Sequence, residues 1–89
     1  MIYSIIKNMK KPLVSIILPV YNSKPHRLTE SIESVLRQTY TNFELIIIND
    51  ASTNDIEKTI LQFVEKDSRI RYIKNIESSK GIYTNILNQ

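Results

Sequence analysis

Tyr21 and Asn22 follow one short apolar run, and Asn49, Asp50 and Ser52 follow another. These residue types suit recognition of a flat heterocycle. An aromatic face stacks on a nucleobase with roughly 1–3 kcal/mol. An ionised carboxylate only accepts hydrogen bonds. Asp50 can therefore receive the imide N–H of uracil, whereas the matching ring nitrogen of cytosine carries no hydrogen. Asn22 and Ser52 could line such a site or hold its loops by hydrogen bonds.

Other chemistries are closed to this sequence. It has no cysteine, which removes disulfides, thiolate zinc sites and thiol nucleophiles. His26 is its one histidine, so a His-rich metal site is out of reach. Gly81 is its one glycine, so neither a dinucleotide fingerprint nor a P-loop can be built. The net charge is +3, and Lys7, Lys10 and Lys11 account for it. From Pro12 onward acidic and basic residues balance, which leaves no electrostatic footprint for nucleic acid.

For Tyr21 and Asp50 to meet, the two apolar runs must be neighbouring strands. Residues 13–18 (LVSIIL) and 43–48 (FELIII) are short, apolar and rich in β-branched side chains, as strands buried on both faces are. Pro19 should end the first. Between them Leu28, Ile32, Val35 and Leu36 recur at helical spacing, and Pro25 suits a first helical turn. The spacing predicts a helix from about 25–27 to 38. Ile56, Ile60, Phe63 and Val64 repeat the pattern and predict a second helix over 55–65. Asn54 and Glu57 read as its N-cap and reciprocal partner. Residues 70–73 (IRYI) form a third, shorter strand, and a further helix could begin after Gly81. Tyr40 and Phe43 read as packing anchors. Alternating strands and helices imply a parallel α/β sheet covered by helices on both faces. In such a sheet ligands bind beyond the carboxyl ends of the strands, where Tyr21 and Asp50 fall.

Two stretches resemble a known family. PLVSIILPVYN (12–22) and SIESVLRQTYTNFELIIINDASTN (31–54) look like the opening of family 2 inverting glycosyltransferases of the GT-A fold. The second stretch is the more specific. The resemblance implies a βαβαβ half of a Rossmann-like nucleotide-sugar-binding fold. It implies that Pro19 and Tyr21 line a nucleoside pocket and that Asp50 bonds the base, with Asn22 and Ser52 in the same nucleotide-binding set. It further implies a UDP-sugar or other nucleotide-sugar donor and a glycan or lipid-linked acceptor. Mg²⁺ or Mn²⁺ is expected in the full-length enzyme. The family carries two acids at the end of its second strand, and here the first is Asn49. Its metal motif and catalytic base lie further along than Gln89, so this chain is expected to supply no metal ligand or catalytic residue. It should be inactive alone.

The expected organisation is therefore a disordered leader over 1–11, with Met9 a second plausible start, and a truncated family-2-like portion over 12–89. No transmembrane segment is expected. The expected location is cytoplasmic, peripheral to a membrane where the full enzyme builds surface polysaccharide. The alternative is a non-catalytic remnant that binds nucleotide weakly. A receiver-type signalling domain fits less well, because no acid follows the first strand.

Overall fold

The computed structural model describes residues 3–6, as backbone, and 13–76. The elements run β1 (Tyr3–Ile6), β2 (Val14–Val20), α1 (Pro25–Leu36), β3 (Phe43–Asp50), α2 (Ile56–Lys66) and β4 (Ile70–Asn75). Among the described residues the sheet has four strands, in the order β1-β2-β3-β4. β2, β3 and β4 are parallel, and each pair is linked by one helix. This βαβαβ arrangement is the one the alternating pattern predicts.

β1 is a departure from that pattern. It pairs antiparallel with β2, from Tyr3 opposite Ile17 to Ile6 opposite Val14. For these four residues the expected disordered leader is corrected to a strand. The physical reason is the outer edge of β2, whose backbone groups need partners, and a segment (YSII) suited to extended backbone. A second departure is Pro19, which lies inside β2 rather than after it. Among the described residues the β1 pairing stops at Ile17, so there Pro19 sits on an edge of β2, the setting in which proline is tolerated.

The core lies between the helices and one face of the sheet. Ile16, Leu18 and Val20 of β2, Leu45 and Ile47 of β3 and Ile70 of β4 form that face. Leu28, Ile32 and Val35 of α1 and Ile56 and Ile60 of α2 cover it. Full burial of each such aliphatic side chain contributes about 1.5–3 kcal/mol. Both described helices occupy the same face. Strands laid down in sequential order by right-handed crossovers require this, and helices on both faces would need an element outside the described residues. The opposite face carries Ile17 and Ile48, both fully buried, with Ile46 and the more exposed Ile73. Phe43 is buried and Arg69 lies over its ring, 4.3 Å from the centroid. Tyr40, read as an anchor, is exposed.

Candidate functional site

The register of β2 on β3 ends at the pair Val20–Asn49. Asp50 is the last residue of β3, and Tyr21 is the first residue after β2. Both therefore follow directly on the last paired residues at the carboxyl ends of neighbouring parallel strands. Their exposures differ: Tyr21 is 62% exposed and Asp50 is 7% exposed. Asn49 and Asp50 belong to β3 itself and not to the loop after it. Successive strand residues face opposite ways. Asn49 points to the helix-covered face, where it meets Tyr72. Asp50 is on the other side, where its Oδ1 accepts from Asn75 Nδ2 at 3.3 Å.

The two loops at this end are laced together. The Asn22 N–H donates to Ser52 Oγ at 3.0 Å. Asn22 Oδ1 accepts from the Thr53 N–H at 2.7 Å, Thr53 Oγ1 at 3.2 Å and the Asn54 N–H at 3.3 Å. Asn54 Nδ2 donates to the Ser23 carbonyl at 3.0 Å. Two residues hold left-handed backbone there, Asn22 (φ 49°) and Ala51 (φ 60°). Asparagine visits that region readily, whereas for a Cβ-bearing residue without a polar side chain it costs roughly 1–2 kcal/mol. Ala51 persists in this shape because its neighbours are pinned.

One of those pins is Asn49. Its Oδ1 accepts from the Ser52 N–H at 3.1 Å, and its Nδ2 donates to Tyr72 Oη at 3.1 Å. Tyr72 in turn donates to Glu57 Oε2 at 2.6 Å, and Lys74 Nζ lies 3.1 Å from the same oxygen. The Tyr72 hydrogen bond, then Lys74, holds the Glu57 carboxyl below its ordinary range. Burial, then the Glu57 carboxylate, pushes the Tyr72 phenol up.

Every residue expected at the site from sequence is thus found at this end of β2 and β3, or in the loops that leave it. Pro19 also borders a separate cleft of about 160 Å³ between β2 and α1, with Ser23, Lys24, Arg27 and Ser31. Neither Tyr21 nor Asp50 lines that cleft. The capping box is corrected. The N-cap of α2 is Asp55, without a side-chain cap bond, because Asn54 is engaged by Ser23 and Glu57 by β4. Sequence reading missed Tyr72 and the structural use of Asn49 and Glu57. The i, i+2 spacing of Tyr72 and Lys74 on β4 was the available signal. Among the described residues no group of three His, Asp or Glu side chains is placed to hold a metal ion. No helix among them is long and apolar enough to cross a membrane.

Comparison with known proteins agrees with this architecture. The model of glycosyl transferase family 2 matches residues 15–88. An uncharacterized glycosyltransferase of Rickettsia bellii is 48% identical over 75 residues, covering 79% of this chain and 11% of its own length. The Escherichia coli protein named UDP-Glc:alpha-D-GlcNAc-diphosphoundecaprenol beta-1,3-glucosyltransferase WfgD is 46% identical over 69 residues, or 78% of this chain and 26% of its own length. An uncharacterized glycosyltransferase of Methanocaldococcus jannaschii is 44% identical over 68 residues, 75% of this chain and 23% of its own length. The chain thus spans between about a tenth and a quarter of these curated relatives.

Proposed function

The chain belongs to glycosyl transferase family 2, and from that premise we propose that it is the nucleotide-sugar-binding part of an enzyme that transfers a sugar from a UDP-sugar to an acceptor hydroxyl with inversion. The uracil ring stacks on Tyr21, and Asp50 accepts its imide N–H. Pro19 borders the nucleoside. Asn22 and Ser52 act by fixing the loops around it, since their polar atoms are engaged largely by each other's loop. The observation that carries this reading is the parallel register ending at Val20–Asn49, directly followed by an exposed tyrosine after one strand and a carboxylate at the end of the other. The name of the E. coli relative, with UDP-Glc as donor and a diphosphoundecaprenol-linked sugar as acceptor, agrees with it. A lipid-linked or glycan acceptor and a cytoplasmic location at the membrane surface belong to the same reading.

Inversion calls for a carboxylate base that takes the acceptor proton as the hydroxyl attacks the anomeric carbon from the side opposite the leaving diphosphate. In the family a divalent cation offsets the diphosphate charge, and no group of acidic or histidine side chains among the described residues is placed to hold one. In this reading sugar transfer by the 89-residue chain alone is not expected. The test is a titration of the chain with UDP and with CDP, followed by amide spectra. UDP should bind in preference, shifting amides around Tyr21 and Asp50. Tyr21→Ala should weaken binding roughly 5- to 160-fold, the equivalent of a lost stacking contact. Equal binding of UDP and CDP would overturn the base-recognition role of Asp50.

A further inference from the structure

The hydrogen bonds that end on Glu57 have a direction. Asn49 Nδ2–H donates to Tyr72 Oη, and the Tyr72 O–H donates to Glu57 Oε2. The other end of the Asn49 carboxamide accepts from the Ser52 N–H, and Ser52 Oγ accepts from the Asn22 N–H. A continuous relay therefore runs from α2 through β4 and β3 to both loops that carry the strand-end residues. A phenol has one proton and can satisfy one carboxylate. Glu57 takes that proton, so position 49 must supply a donor. An aspartate there would set a second acceptor-only group against the phenol oxygen at about the 3.1 Å now spanned by Asn49. Asn49 is 4% exposed, so water gives little relief to an acid placed there.

We propose that Tyr72 is a positioning residue for the strand-end site, and that the direction of its relay is what requires an amide rather than an acid at position 49. The relay holds Ser52, and through Ser52 the left-handed Ala51 and the Asn22 loop, in their arrangement at the ends of the strands that lead to Tyr21 and Asp50. The structural half of this inference stands by itself. Its consequence for ligand binding rests on the nucleotide reading above.

The direction can be reversed on purpose. With Asn49→Asp and Glu57→Gln together, the new amide at position 57 donates to the phenol, and the phenol donates to the new carboxylate at position 49. Every contact is kept except the exposed Glu57–Lys74 ion pair, which contributes little. The experiment compares the 89-residue chain with N49D, E57Q and N49D/E57Q, by amide spectra without ligand and by UDP titration. N49D should displace the amides of Asn22, Ser52 and Thr53 and weaken UDP binding about tenfold, the scale of one broken buried hydrogen bond. The double variant should return those amides towards their parent positions and bring affinity back to within about threefold. A double variant no better than N49D overturns the relay, and so does an N49D chain whose loop amides stay in place. Should N49D fail to fold, the melting temperature decides: recovery in N49D/E57Q supports the relay, and none overturns it. If the parent chain binds no UDP, the nucleotide reading falls while the rescue of the ligand-free amides still judges the relay.

Discussion

The tie between the loops can be measured by changing Asn22. Its Oδ1 is the shared acceptor for the Thr53 N–H, the Thr53 hydroxyl and the Asn54 N–H. One of these bonds is short, at 2.7 Å, and the others are 3.2 and 3.3 Å. All three donors are at the surface and regain water when the acceptor is lost. The net loss is then roughly 1–1.5 kcal/mol rather than three full bonds. Asn22 also holds φ at 49°, where alanine adds a penalty of roughly 1 kcal/mol. Asn22→Ala should therefore destabilise by roughly 2–2.5 kcal/mol, a large fraction of the ~5–13 kcal/mol expected for a domain of this size. Asn22→Gly keeps the left-handed backbone but loses the acceptor and adds roughly 0.5 kcal/mol of freedom to the unfolded chain, so it should cost roughly 1.5–2 kcal/mol. Asn22→Asp keeps both features and should stay within about 0.5 kcal/mol of the parent. Urea unfolding of the four chains, with hydrogen exchange at Thr53 and Asn54, checks the order. The reasoning is refuted if Asn22→Gly is as stable as the parent and exchange at those two amides is unchanged.

Acid should act through two carboxylates. Arg69, by hydrogen bonding to Asp67, holds that carboxyl below its usual range, and Tyr72 followed by Lys74 does the same for Glu57. A depressed folded value means the stabilisation is complete above the unfolded values, about pH 4, and is lost as pH falls through the folded values. Asp67→Asn should flatten the fall of melting temperature between about pH 5 and 2, and an unchanged slope would remove Asp67 from the account. Ala51→Gly should raise the urea midpoint slightly. Relief of the left-handed backbone, roughly 1 kcal/mol, outweighs the extra freedom of glycine in the unfolded chain by about 0.5 kcal/mol. A lower midpoint would contradict the φ of 60° at that residue.

Apolar periodicity made the scaffold legible before any coordinates. Of the eight helical residues the spacing marks, Leu28, Ile32, Val35, Ile56 and Ile60 are buried against the sheet, and Leu36, Phe63 and Val64 pack partly buried against the same core. Strand ends were less legible, because polar residues can continue a strand when its neighbour continues too. Asn49 and Asp50 pair with Lys74 and Asn75 and so remain in β3, although their types suggest a loop. β1 was invisible for a related reason. Four residues carry too little pattern by themselves, and it is the open edge of β2 that gives them a partner. Local rules misled at Asn54 and Glu57. Their spacing matches a helix cap, but longer-range partners on the first loop and β4 take both side chains. Residues 81–89, where a further helix could begin, lie outside the described residues.

The pleat of β3 divides its last two residues between unrelated duties. Asn49 serves the interior framework and Asp50 the far side, although only one peptide bond separates them. A dipeptide that looks like a single signature is mechanically two, and each half is free to change on its own schedule. Shifting β3 by one residue would exchange their tasks outright. Inserting a residue anywhere along that strand should therefore do more harm than replacing either side chain.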